Sequence, residues 1–115
     1  MTIAVRAPSN KLYITRNCFA LVEQQILVNS EGQSIAVASL PWSLLTLLVM
    51  NPGRIVPYSE IIRVVFGDVP HTVQSVATLM ARLRKYFKDL GIDDESIHKA
   101  FTSFRGKGIL FVPES

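Results

Sequence analysis

Apolar and polar positions change their period twice along this chain. Up to about residue 38, short runs rich in β-branched and aromatic residues alternate with turn formers: Leu12-Tyr13-Ile14, Phe19 to Val22, Gln25 to Val28 and Ser34 to Val37. Runs of that length and composition predict four short strands, with Asn29-Ser30-Glu31-Gly32 as the hairpin turn between the last two. A small antiparallel sheet is therefore expected over about residues 11–38. From Leu40 the period lengthens. Leu44, Leu45, Leu47 and Leu48 predict a helix over about 40–51, ended by Asn51-Pro52-Gly53, with Pro41 tolerated in its first turn and Leu45 and Val49 lying off the main stripe. Ile61, Ile62, Val65 and Phe66 predict a second helix over about 58–66, stopped by Gly67.

The third helix, over about 72–90, carries the clearest signal. Val73, Val76, Met80, Leu83 and Phe87 recur at spacings 3, 4, 3, 4 and make one apolar stripe. Roughly opposite the stripe lie His71, Ser75, Thr78, Arg82 and Lys85. The period then shortens again. Ile97 to Phe104 and Ile109 to Val112 read as two strands around the turn Arg105-Gly106-Lys107-Gly108, a β-hairpin over about 97–112. The expected fold class is α+β: an N-terminal antiparallel sheet, three helices and a C-terminal hairpin, in one domain spanning 1–115.

Composition removes several classes of function. Cys18 is the sole cysteine, so no internal disulfide forms, and with His71 and His98 it matches no standard zinc spacing. Cys18 reads as a small core residue and His98 as an exposed strand position. His71 reads as a helix-start or phosphate-contacting residue. Asp93-Asp94-Glu95 reads as a solvated loop, without the spacing of a calcium site. No nucleophile–base pairing stands out, so neither catalysis nor a cofactor is expected. The stretch from Gly32 to Gly53 carries no charge and is long enough to span a bilayer. Gln33, Ser34, Ser39, Ser43 and Thr46 interrupt it and Pro41 splits it, so it reads as a strand followed by a buried helix. No apolar run follows Arg6 as in a signal peptide, and a cytoplasmic location is expected.

The net charge is +3, and its placement says more than its size. Residues 71–90 carry Arg82, Arg84, Lys85 and Lys88 against Asp89, and residues 96–112 carry Lys99, Arg105 and Lys107 with no acid. A helix with an apolar stripe on one side and small polar and basic residues on the other can dock on a core and lie in the DNA major groove. Ser75 and Thr78 reach phosphates or base edges without filling the groove. Arg82 can pair bidentately with guanine O6/N7, a discrimination of about 1–3 kcal/mol. Arg84 and Lys85 read as phosphate neutralisers, which set affinity rather than sequence, with Arg84 lying beside the apolar stripe. A hairpin tipped by Arg105 and Lys107 is narrow enough to reach a neighbouring minor groove, where arginine is favoured.

These segments together resemble the winged-helix DNA-binding domain of OmpR/PhoB-type response regulators and of ToxR-like activators, from about Leu12 to Val112. Leu44-Leu45 with Leu48, then Asn51-Pro52-Gly53-Arg54-Ile55-Val56, resembles the family's first helix and its N-P-G-R-V-V exit. Ile61-Ile62 with Val65-Phe66-Gly67 is similar to its second helix, with Phe for Trp. Arg82-Leu83-Arg84-Lys85 stands where the family has R-L-R-K, and Phe104-Arg105-Gly106-Lys107-Gly108-Ile109 resembles the wing motif V-R-G-x-G-Y. The resemblance implies a sequence-specific, double-stranded-DNA-binding transcription regulator with a recognition helix over 72–90 and a wing over 97–112. It implies DNA contacts at Thr78, Arg82, Arg84, Lys85, Ser103 and Arg105, a segment around 67–72 that touches RNA polymerase, and a homodimer on repeated sites.

The sequence departs from the family pattern in places. Ala77, Leu79 and Ala81 are greasier than usual, Pro41 replaces a glutamate, and Pro57 replaces a capping serine. Two alternatives therefore stand beside DNA binding by a stand-alone regulator. One is a protein–protein interaction module using a patch of Ala77, Leu79, Ala81 and Tyr86. The other is the cytoplasmic DNA-binding domain of a membrane-anchored ToxR-like activator.

Overall fold

The computed structural model describes residues 11–67 and 71–113. The first four strands are β1 (Lys11–Thr15), β2 (Cys18–Leu21), β3 (Ile26–Asn29) and β4 (Ser34–Ala36), paired antiparallel in chain order. Directly opposed residues share a face, so Leu12, Ala20, Leu27 and Ile35 form one row across the sheet. Ala20 and Leu27 in that row are buried, as is Ile14 two residues on from Leu12. That alternation fixes the register, because a slip of one residue would turn the whole row to solvent.

Helix α1 (Ser39–Val49) fills the middle of the molecule. It buries Trp42, Leu44, Leu45, Leu48 and Val49, and a helix apolar on most sides belongs inside a core. Leu45 and Val49 thus pack inward and form no separate outer stripe. The uncharged stretch that includes them is resolved as β4 and α1. Among the described residues no helix is long and apolar enough to cross a membrane.

Strand β5 (Ile55–Pro57) leads into α2 (Tyr58–Phe66), and α3 (Val73–Asp89) follows. Residues 68–70 of the 67–72 segment lie outside the described residues. Helix α3 buries Val76, Leu79, Met80, Leu83 and Phe87. Val73, by contrast, is 49% exposed, so the apolar stripe starts one turn later than its spacing suggests.

After Gly91 the structure departs from the expected strand. A short helix, α4 (Asp94–Ala100), occupies the place where a strand was expected from Ile97, and the strand β6 starts only at Phe101 (Phe101–Phe104). The described residues therefore hold four helices, and the hairpin of β6 and β7 (Gly108–Phe111) spans 101–111 rather than 97–112. Asp93 stands at the N-cap of α4, with Asp94 and Glu95 in the first turn and His98 and Lys99 in the last. Acids at the start and cations at the end match the helix dipole. The Ser96 hydroxyl donates to Asp93 at 2.7 Å and holds that carboxyl below its usual range. The acidic group is the start of a helix, and His98 lies on that helix, not in a strand.

Strand β5 joins the hairpin as a third strand, in the order β5-β7-β6. Phe101 and Phe111 of this sheet stack toward Phe87, with ring centroids 5.1 and 5.8 Å apart along the chain Phe111–Phe101–Phe87. The aromatic contacts seat the hairpin and α3 on one core.

Candidate nucleic-acid interface

Helix α3 starts from Thr72, whose hydroxyl accepts the Ser75 N–H at 3.4 Å. This cap fixes where the first turn begins and so which side chains face outward. Thr78, Arg82 and Lys85 are exposed on one strip, as the sequence predicts. Ser75 is half-buried at the edge of that strip. Gln74, which the sequence reading passed over, is exposed, and the spacing Gln74, Thr78, Ala81, Lys85 places it on the outward face. Counting the polar face from its own centre, rather than as the inverse of the apolar stripe, would have found it.

Leu79 is 4% exposed and belongs to the core. Tyr86 is half-buried, and its hydroxyl accepts the Ala38 N–H at 3.2 Å, tying α3 to the start of α1. Only Ala77 and Ala81 of the proposed protein-docking patch remain at the surface. The patch is broken up, because Leu79 packs into the core and Tyr86 is half-buried and bonded to Ala38.

The hairpin flanks α3 on its other side. A cleft of about 160 Å³ between them is lined by Val73, Ala77 and Arg84 of α3, by Ser103 and Ile109 of the hairpin and by Tyr58 at the start of α2. Arg84 is half-buried in it, and its Nε–H is buried with no acceptor among the described residues. Arg84 and Ser103, far apart in sequence, are thereby brought to one place. Ser103, Arg105 and Lys107 are exposed.

The turn that carries the tip is held from within. The Lys107 N–H donates to the Phe104 carbonyl at 2.9 Å, and the Lys107 carbonyl accepts the Tyr58 N–H at 3.1 Å. That second bond satisfies a backbone donor in the first turn of α2, where Pro57 supplies no side-chain cap. A serine there is unnecessary because the hairpin turn does the capping.

Not every basic residue is free for a ligand. Arg54 forms a two-pronged bond to Glu60 at 3.0 and 3.2 Å and reaches Asn51 at 3.1 Å. The Arg54 guanidinium holds the Glu60 carboxyl below its usual range, and the pair braces the start of α2. Lys85 pairs with Asp89 at 3.3 Å and Lys88 with Asp94 at 3.2 Å. The side chains of Arg82, Arg105 and Lys107 form no ion pair among the described residues. Among the described residues, three cations without an ion pair thus sit on the outward strip of α3 and at the hairpin tip, while Lys11 on β1 and Arg63 on α2 also form none.

Residues 32–108 match the family described as "Transcriptional regulatory protein, C terminal". Among solved structures the chain is similar to the DNA-binding domain of CadC from E. coli, with 17% identity, a TM-score of 0.75 and coverage of 93% of this chain and 95% of that one. It is similar to the DNA-binding domain of CpxR from E. coli, with 21% identity, a TM-score of 0.73 and coverage of 93% and 100%. It is also similar to the Klebsiella pneumoniae RstA DNA-binding domain solved in complex with the RstA box, with 21% identity, a TM-score of 0.66 and coverage of 84% and 91%. Among curated proteins none matches the sequence.

Proposed function

The chain belongs to the transcriptional regulatory protein, C-terminal family, and from that premise we propose that it regulates transcription by gripping duplex DNA between α3 in the major groove and the hairpin, its wing, in an adjacent minor groove. The observation that carries this reading is the shared cleft of Arg84 and Ser103, which makes the outward strip of α3 and the hairpin parts of one surface. Each element then has a task set by its chemistry. Arg82, exposed and without an ion pair, reads guanine, with Ser75 and Thr78 beside it. Arg84 and Ser103 hold a phosphate, whose oxygen supplies the acceptor that the Arg84 Nε–H lacks. Lys85 neutralises a second phosphate. Arg105 enters the minor groove, and Lys107 supports it at the rim.

The chain acts as one domain in the cytoplasm and without catalysis. The 67–72 segment meets RNA polymerase, and two copies bind repeated sites as a homodimer. The structural relatives with DNA-binding domains support the duplex as partner, and the polymerase and dimer contacts are carried by the family resemblance alone.

Fluorescence anisotropy with a random-sequence duplex across a salt series tests the core of the proposal. With about four to six phosphates neutralised, log affinity should fall against log salt with a slope of about −4 to −5. No measurable binding at low salt would overturn it.

A further inference from the structure

We propose that the first half of the outward face of α3, from Gln74 to Ala81 and N-terminal to the guanine assigned to Arg82, is built to read A·T pairs, with Gln74 recognising an adenine and Thr78 presenting its methyl group to a thymine. The inference rests on α3 lying in the major groove and concerns what it reads there. Gln74, Ala77, Thr78 and Ala81 are all exposed along its first half. The Gln74 side-chain amide forms no hydrogen bond among the described residues. It is the group that pairs bidentately with adenine N6 and N7.

Thr78 settles the character of the face. Its hydroxyl donates to the Gln74 carbonyl at 3.1 Å. A threonine hydroxyl has a single proton, so a back-bond of this kind leaves no donor for a base edge. The oxygen keeps acceptor capacity only, the methyl beside it is free to meet the groove, and the methyls of Ala77 and Ala81 lie within one helical turn of it. Such methyls pack against the C5-methyl of thymine. Opposite Ala77 or Ala81 a G·C pair would instead set the cytosine N4–H donor against carbon, and unpaired donors are costly. The hairpin points the same way, since Arg105 prefers the narrow minor groove of A·T-rich DNA.

The test starts from anisotropy with unselected duplex at low salt, followed by recovery of bound sequences from a random pool. The recovered site should contain a run of A·T pairs. The same site is then synthesised with deoxyuridine at each thymine in turn, which removes only the methyl. Affinity should fall about fourfold per contacted methyl, the worth of burying one such group. Thr78→Ser, which keeps the back-bonding hydroxyl, should abolish the response at one thymine and leave the others. Gln74→Ala should lose preference for one adenine by roughly tenfold. A G·C-only site, unchanged affinity for every deoxyuridine duplex, or full methyl sensitivity in Thr78→Ser would overturn the inference while leaving DNA binding intact. Absence of binding to the unselected duplex would overturn both readings together.

Discussion

The side-chain amide of Asn29 donates to the main-chain carbonyl of Leu90 at 2.9 Å, joining two residues 61 positions apart. Asn29 ends β3 and is 6% exposed, and Leu90 is the C-cap of α3. Every polar capacity of Asn29 is used. Its amide also donates to the Gln33 side chain at 2.8 Å, and its carbonyl oxygen accepts the backbone N–H groups of Glu31 and Gln33. The residue therefore closes the β3–β4 turn and anchors the end of α3 at once. Asn29→Ala leaves the carbonyl of buried Leu90 without this donor and loosens the β3–β4 turn, and should destabilise the fold by about 1–3 kcal/mol, read as a lower urea midpoint. Asn29→Asp keeps the acceptors but loses both donors, and should fall at least as far. A midpoint unchanged in either variant would contradict the anchoring role.

Two glycines of the hairpin separate two physical causes. A Cβ at Gly108 would run into the Val56 carbonyl oxygen, which is backbone and has no room to yield. Gly108 is thus required by the close approach of β7 to β5. Gly106 has open space around it but a φ of +74°, so its requirement is conformational alone. Gly108→Ala should cost about 3 kcal/mol, a melting-temperature loss of roughly 10–20 °C. Gly106→Ala should cost only about 1–2 kcal/mol. Equal losses in thermal melts of the two variants would refute the distinction.

Burial pushes the Cys18 thiol up to about 12 from its ordinary 9.0. Above pH 9 the unfolded chain releases this proton and the folded chain retains it. The contribution to stability is therefore complete below about pH 9 and lost as pH rises toward 12. Cys18→Ala removes that titration, so its stability should decline less between pH 9 and pH 10.5 than that of the parent chain. Parallel denaturant curves at each pH decide the matter, and identical declines would remove the thiol as the cause. At pH 8 the folded chain should also resist thiol reagents, reacting only through unfolding.

What the sequence made legible follows from how local each signal is. The four N-terminal strands and the first three helices declare themselves by local apolar spacing and by the turn residues that bound them. Helix α4 was lost because Ile97, Ala100 and Phe101 fall at a spacing that leads straight into a true strand, and the helix supplies only two turns before it. Its signals were present: Asp93 at the cap, acids in the first turn and a lysine in the last. Strand β5 is three residues long, and nothing in Ile55-Val56-Pro57 announces pairing with a partner more than fifty residues away. At the candidate site, Arg82, Thr78, Lys85, Arg105 and Lys107 were legible as exposed positions of a face and a turn. The meeting of Arg84 with Ser103, the pairing of Lys85 with Asp89 and the inward turn of Leu79 were not, since each depends on a neighbouring element.

The Lys85–Asp89 pair makes a sharper prediction than either residue alone. Both side chains are largely exposed, so the bond between them at 3.3 Å adds little to stability. Its effect is electrostatic: Asp89 places a negative charge on the face proposed to meet phosphates and holds the lysine along the helix. Asp89→Asn should keep the fold and raise affinity for any duplex by about threefold at low salt. Lys85→Ala should weaken binding to all sequences alike and make the salt slope shallower by about one. Arg82→Ala should instead erode discrimination between sites by roughly tenfold, with less change in affinity for unselected DNA. Anisotropy on one selected and one random duplex, at two salt concentrations, separates the three outcomes. Weaker binding in Asp89→Asn would mean that the carboxylate serves to position Lys85 for its phosphate, and the repulsion argument would fall.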